Sequence, residues 1–202
     1  MIKKIIFIFC AILTTGTIFC QTIDVMTYNI RYDNPGDGKN SWSERKEFLL
    51  GQMKYFTADI IGTQEGLKHQ IEYIDNELEN YYYVGIGRDE NSYGEYCALL
   101  YNKDKVKLVT SETFWLSETP DVPSKGWDAS LNRICTYGLF ETKKTQQKFW
   151  IFNTHFDHRG IKSRERSAYL ILKKIDSLNT ENLPIILLGD FNLKPEEKPI
   201  KI

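Results

Sequence analysis

Four apolar runs in this chain each end in a side chain able to do chemistry. Val25-Met26-Thr27-Tyr28 ends in Asn29, and Ile60-Ile61-Gly62-Thr63-Gln64 ends in Glu65. Phe149-Trp150-Ile151-Phe152-Asn153-Thr154 ends in His155, and Ile185-Ile186-Leu187-Leu188-Gly189 in Asp190. Short apolar runs between turn signals read as buried strands. If the four strands end together, they present an amide, two carboxylates and an imidazole at one rim, where loops vary without disturbing the core. Oxygen ligands with open water positions suit Mg2+, with Mn2+ as a substitute, and the cysteine-free pattern does not suit zinc. Asn192 follows two residues after Asp190. On a strand that spacing puts both on one face, aimed at one water or phosphate.

Taken singly, each residue has a plainer reading. A strand-terminal Asp or Asn forms turns, and Glu65 suits the start of a following helix through its dipole. Thr154-His155-Phe156-Asp157-His158 suits a hydrogen-bonded corner, and Arg164 and Arg166 a solvated helix face. The chemical reading rests on co-occurrence.

The elements that must position these groups alternate strands with helices, a mixed α/β pattern. Strands are expected over residues 23–29, 60–65, 81–85, 96–101, 106–109, 113–116, 131–140, 148–154 and from 185 onward. One helix begins after Ser43 as N-cap and buries Leu49, Met53 and Phe56; a second puts Leu67, Ile71, Ile74 and Leu78 on one face. A third, over 164–178, turns Ala168, Ile171, Leu172, Ile175 and Leu178 inward. The long loop 117–132 contains Trp127, which argues for order.

The 202 residues suit one domain with one substantial core. Lys3-Lys4 followed by a mostly apolar run to Phe19 reads as a signal peptide over residues 1–20, too short for the ~20 residues of a spanning helix. The expected mature domain is 21–202, exported to the periplasm or secreted, with no transmembrane span. Lipid anchoring through Cys20 is disfavoured because Phe19 is bulky where a small residue is wanted. Removing Lys3 and Lys4 leaves 24 basic against 27 acidic residues, a balance of -3. Such a chain has no general pull on nucleic acid, which favours small or already-positioned phosphates. Cys97 and Cys135 lie in apolar runs and read as buried free thiols.

Met26-Thr27-Tyr28-Asn29, Gly62-Thr63-Gln64-Glu65, Asn153-Thr154-His155 and Gly189-Asp190-Phe191-Asn192, in that order, resemble the endonuclease/exonuclease/phosphatase superfamily of metal-dependent phosphoesterases. Phe114-Trp115-Leu116-Ser117, Gly126-Trp127-Asp128-Ala129, Arg133 and Asp157-His158-Arg159-Gly160 look like a bacterial exported subgroup. The resemblance implies a two-sheet α/β sandwich with its site at one end. It implies Glu65 as principal Mg2+ ligand with Asn29 beside it, His155 and Asn192 on phosphate oxygens, and Asp190 orienting or deprotonating the attacking water. Arg133, Tyr96 and Arg164 would contact phosphate or substrate. The implied activity is hydrolysis of phosphoester or phosphodiester bonds in a nucleic acid, sugar phosphate or phospholipid head group, with no stable protein partner. The family's domain continues past Gly-Asp-Phe-Asn to an Asp-His pair, whereas the histidines here are His69, His155 and His158. The expectation is therefore a domain incomplete at its C-terminus and impaired in activity. The alternative is a non-catalytic remnant that binds phosphate or metal.

Overall fold

Runs such as Ile60-Ile61 have no polar face to give to water, so they need cover on both sides. The computed structural model, which describes residues 22–201, provides that cover with two stacked sheets and three helices. The expected signal segment, residues 1–20 with Cys20, lies outside the described residues. Among the described residues no helix is long and apolar enough to cross a membrane.

Strands β1 (Val25–Asn29), β2 (Ile60–Gln64), β3 (Tyr81–Val84) and β4 (Leu99–Asn102) form one sheet in the order β1-β2-β4-β3. Strands β5 (Val106–Trp115), β6 (Ile134–Thr142), β7 (Lys148–His155) and β8 (Ile185–Asp190) form the other, in sequence order. Each sheet contains one parallel pair, β1 with β2 and β7 with β8. Parallel neighbours need a crossover, usually a helix. Helices α1 (Trp42–Phe56) and α3 (Ile161–Leu178) are those crossovers, and α2 (Lys68–Glu77) packs beside α1.

Alternation along the strands then builds three apolar layers. Ile60, Leu99, Phe140, Ile151 and Leu188 meet between the sheets. Their neighbours Ile61 and Leu100 face out onto Leu49 and Met53 of α1 and Ile71 of α2. On the other side, Trp150 and Phe152 meet Ile171 and Ile175 of α3. This is the expected two-sheet α/β sandwich.

Several local expectations are corrected. Helix α1 starts at Trp42 with Ser41 at its N-cap, two residues earlier than read; Trp42 and Leu50 join the core and Phe56 is 59% exposed. The strands expected over 106–109 and 113–116 are the single strand β5, whose bulge between Leu108 and Thr110 breaks the two-residue period. Residues 96–98 precede β4, and Tyr96 instead forms isolated bridges with Gly66 and Gly87. Helix α3 begins at Ile161 because its first donors find a distant acceptor. Asp128, on the loop before β6, takes the Ser163 amide at 2.6 Å and the Lys162 amide at 3.2 Å. Leu172, read as inward, is 37% exposed. Asp157 accepts the Ser130 hydroxyl and amide, so the long loop is ordered against the α3 corner.

Candidate active site

In-register parallel pairing sets Asn29 opposite Gln64 and His155 opposite Asp190, so the strand ends are level within each sheet. Asn29, Gln64, Asn153, His155 and Asp190 all share the parity of residues buried between the sheets, and they gather at one end of the sandwich. Glu65 is the first residue past β2, with φ +64, and Asn192 has φ +48. Left-handed backbone at non-glycine residues costs roughly 1–3 kcal/mol each. Here it turns two side chains back toward the rim.

Asn29 Nδ2 donates to Glu65 Oε1 at 2.9 Å and to Asp190 Oδ2 at 3.0 Å. One amide thus bridges carboxylates from opposite sheets. Asn29 Oδ1 accepts the Arg31 amide at 3.0 Å, which fixes the orientation of the side chain, and Glu65 Oε2 accepts the Tyr32 amide at 3.3 Å. For Asp190, burial opposes ionisation, but the Asn29 side chain, the Asn192 backbone amide and the nearby Arg133 charge outweigh it, so the carboxyl lies below its ordinary value.

Asn192 reaches the rim by a turn. Strand β8 ends at Asp190, and the Asn192 amide closes onto Asp190 Oδ1 at 3.0 Å, so the expected shared strand face is replaced by an Asx turn. Asn192 Nδ2 donates to the Phe156 carbonyl at 2.9 Å and to His155 Nε2 at 3.0 Å. An amide nitrogen cannot accept, so Nε2 carries the lone pair and the proton sits on Nδ1, a buried atom without a protein partner. Burial pushes His155 down to about 4, Arg133 reinforces that, and Asp190 opposes it only in part. The imidazole is neutral at pH 7.

Beneath the rim lies a polar lock that sequence reading missed. Asn153 and Gln64 are both buried, and Gln64 Nε2 donates to Asn153 Oδ1 at 2.7 Å across the sheets. Asn153 Nδ2 donates to the carbonyls of Thr63 at 2.9 Å and Ala98 at 2.8 Å. Gly62 permits this approach, because a Cβ there would sit 2.9 Å from Asn153 Cγ. The available signal was a polar residue of inward parity interrupting an apolar run, one or two positions before Glu65 and His155.

The remaining expected residues divide. Arg133 and Tyr96 line a small cleft together with Glu65 and His155. Arg133 is 3% exposed and is held by Asp157 Oδ2, 3.4 Å from Nε, and His158 Nδ1, 3.1 Å from Nη2. Burial lowers its pKa, with the Arg88 charge adding to the effect. Tyr96 is buried, and its hydroxyl donates to the Ser92 carbonyl at 3.2 Å. Arg164 is not brought to the rim: it is buried and donates Nη1 to the Asp157 carbonyl at 3.1 Å, bracing that corner. Arg88 and Glu95 also line the cleft, joined Nη1 to Oε2 at 2.7 Å. Both sit in or beside a polar loop, where nothing in the sequence separates them from solvated charges.

Glu65 and Asp190 offer carboxylate oxygens that fit a hard divalent cation keeping most of its waters, whereas Asn29 turns its Nδ2 donor toward them and would offer its Oδ1 only by rotating off the Arg31 amide. Among the described residues, no three or more His, Cys, Asp or Glu side chains converge, as a closed zinc site would require.

The family model described as Endonuclease/Exonuclease/phosphatase family matches residues 26–201. A solved structure of a mannosyl-6-phosphatase from Bacteroides thetaiotaomicron is 43% identical, with a TM-score of 0.85 over 88% of this chain and 68% of that one. An uncharacterized protein of Acanthamoeba polyphaga mimivirus is 34% identical over 164 residues, 75% of this chain and 59% of that protein. Human nocturnin is 26% identical over 202 aligned positions, 89% of this chain and 45% of nocturnin. The chain thus spans about half of the length of these last two relatives. The order of the motifs, the sandwich they build and these matches agree: the chain belongs to the endonuclease/exonuclease/phosphatase family, whose members hydrolyse phosphoester bonds.

Proposed function

We propose that this chain carries the Mg2+ site and phosphate-binding face of an exported phosphoester hydrolase acting on a sugar phosphate. The observation that carries the reading is the Asn29 amide held between Glu65 and Asp190, one carboxylate from each sheet. Glu65, with Asn29 beside it, would hold Mg2+ or Mn2+, and the ion, when bound, supplies charge neutralisation for phosphate and a more acidic water.

The chain's own groups supply the rest. Asp190, kept ionised, accepts the proton of the attacking water and fixes its direction. Asn192 exchanges its bond to His155 Nε2 for a phosphate oxygen, His155 donates to another once its proton is moved from Nδ1 to Nε2, and Arg133 faces the same cleft with a charge that cannot be lost near neutral pH. Held in line, these groups place donors where charge spreads over the equatorial oxygens. The sugar-phosphate assignment is supported by the 43% identical mannosyl-6-phosphatase and by the acidic balance, which gives no general pull on a polyanion. The proposal includes export, with residues 1–20 removed and 21–202 retained, supported by the Lys3-Lys4 and apolar pattern; N-terminal sequencing of the protein recovered outside the cytoplasm checks it.

The test compares the chain with Glu65→Ala on hexose 6-phosphates and on single-stranded RNA, with Mg2+ and with chelator, alongside calorimetric Mg2+ titration. The proposal expects Mg2+ binding that Glu65→Ala abolishes, and phosphate release from the sugar phosphates in preference to RNA cleavage. Mg2+ affinity unchanged in Glu65→Ala would sink it. RNA cleavage without sugar-phosphate hydrolysis would replace the substrate and keep the site.

A further inference from the structure

The corner that follows β7 is held more firmly than a surface turn needs, and it carries an exposed histidine. Asp157 is fully buried, and its carboxylate takes the Ser130 hydroxyl at 2.9 Å, the Arg159 amide at 2.9 Å and the Gly160 amide at 2.8 Å. Arg133 Nε adds a charge 3.4 Å away. The loop before β6 is tied to the same corner again through Asp128, which takes the Lys162 and Ser163 amides. On this base His158 stands exposed, next in sequence to Asp157. A side chain on a fixed base gives up little freedom when a ligand meets it.

The ring is also oriented. Arg133 Nη2 lies 3.1 Å from His158 Nδ1. A guanidinium has no acceptor, so Nδ1 keeps its lone pair and the proton is on Nε2. Among the described residues Nε2 has no protein acceptor, which leaves one oriented N–H free on an exposed side chain. Its position is beside the phosphate face. Arg133, which it touches, lines the cleft with Glu65 and His155, and His158 is three residues past His155, a span of at most about 11 Å. Leu131, 40% exposed, is bound to the same carboxylate through its amide, 3.4 Å from Asp157 Oδ2. A neutral donor and an apolar side chain on one hub suit a hydroxylated ring, which offers acceptor oxygens and C–H faces.

We propose that His158 is a specificity-determining residue: its Nε2–H donates to a hydroxyl oxygen of the sugar whose phosphate sits at the Glu65–Asp190 rim, with Leu131 against the ring. A donor built to meet a substrate hydroxyl discriminates against a group that lacks one, because the donor is then left without its partner. Asp157 and Arg133 act behind it as positioning residues, one fixing the corner and the other the ring. This rests on the sugar-phosphate reading above, and it adds the residue that tells the sugar from other phosphate-bearing groups.

Calorimetry with two non-hydrolysable probes tests the contact: a hexose 6-phosphonate, whose C–P bond resists hydrolysis, and methylphosphonate, its sugarless counterpart, at a pH where both are dianions. Both are titrated in Mg2+ into the chain, His158→Asn and His158→Gln. Asparagine keeps an acceptor where Nδ1 stands and removes the outward N–H, whereas glutamine carries an amide N–H to the Nε2 position. The chain is expected to prefer the hexose probe by about tenfold, the effect of one good hydrogen bond. His158→Asn should cut that preference to about twofold or less while leaving methylphosphonate within about twofold, and His158→Gln should retain it. A role confined to holding Arg133 predicts the reverse, asparagine tolerated and glutamine impaired with both probes weakened alike, and that result overturns the contact. Equal affinity of the unaltered chain for the two probes overturns it too and leaves the phosphate site standing. If neither probe binds, the phosphate-site reading fails and the contact with it. Thermal melts of each variant, expected within a few degrees of the parent, check that folding is retained.

Discussion

Replacing Asn153 by leucine tests whether a polar bond between the sheets fixes the rim. Leucine keeps the branch at Cγ and removes the amide. Lost with it are the bond from Gln64 at 2.7 Å and those to the Thr63 and Ala98 carbonyls at 2.9 and 2.8 Å. At roughly 1 kcal/mol net for each, the cost is about 3 kcal/mol. Part of the damage is softened, since Gln64 Nε2 keeps Thr27 Oγ1 and the Gly62 carbonyl, both at 3.2 Å. For a chain of 202 residues that lowers the melting temperature by roughly 6–12 °C. Urea titration supplies the free energy, and a cycle with Gln64→Leu isolates the pair, with an expected coupling of about 1 kcal/mol, because removing both partners strands neither. Calorimetric Mg2+ titration of folded Asn153→Leu adds a functional readout: affinity should fall as the two sheets lose their spacing under Glu65 and Asp190. A loss below about 1 kcal/mol, or additive single variants, would refute the lock.

Asp157 offers a pH test. Burial opposes its ionisation, but the Gly160 and Arg159 amides, the Ser130 hydroxyl and Arg133 hold its carboxyl well below the usual range. A depressed folded value means the unfolded state binds more protons in acid, so this contribution is complete above about pH 4 and is lost as pH falls further. Asp157→Asn should therefore cost about 3–5 kcal/mol at neutral pH by stranding buried Arg133, and should flatten the acid limb of a stability-pH curve; an unchanged limb would assign the acid loss elsewhere. Gly189 has φ +147, and a Cβ there would lie 2.1 Å from the Thr154 carbonyl oxygen. Gly189→Ala should lose upwards of about 3 kcal/mol or fail to accumulate as soluble protein, and a urea midpoint equal to the parent would contradict the close β7–β8 approach. Cys97 and Cys135 are buried free thiols, with burial pushing Cys97 up to about 12 and Cys135 well above its ordinary value. Neither should react with a disulfide reagent until denaturant is added; rapid native labelling would show that the β4 or β6 environment opens.

Asn29, Glu65, His155 and Asp190 were legible from the sequence because each closes an apolar run. A run with no polar face must be buried, and a buried strand has few ways to end except at a rim. The same periodicity separated the layers, sending Ile60 and Ile151 between the sheets and Ile61 and Phe152 outward onto helices. Periodicity failed where the chain leaves the repeat: at the β5 bulge, at Phe56, and at Asn192, whose route to the site is a left-handed turn. It was silent on Arg88 and Glu95, and Arg164, read as a solvated helix face or a substrate contact, is instead buried against the Asp157 carbonyl. A charged residue in a polar loop or on a helix has one local signature whether water or a carboxylate surrounds it, and its burial depends on contacts tens of residues away. The sequence by itself determined the strand ends and the chemical types placed there. Tertiary structure alone decided that one amide would join carboxylates of opposite sheets, that Gln64 and Asn153 would lock the sheets beneath them, and that two arginines would share the cleft. Each of those depends on distance between segments that no local pattern records.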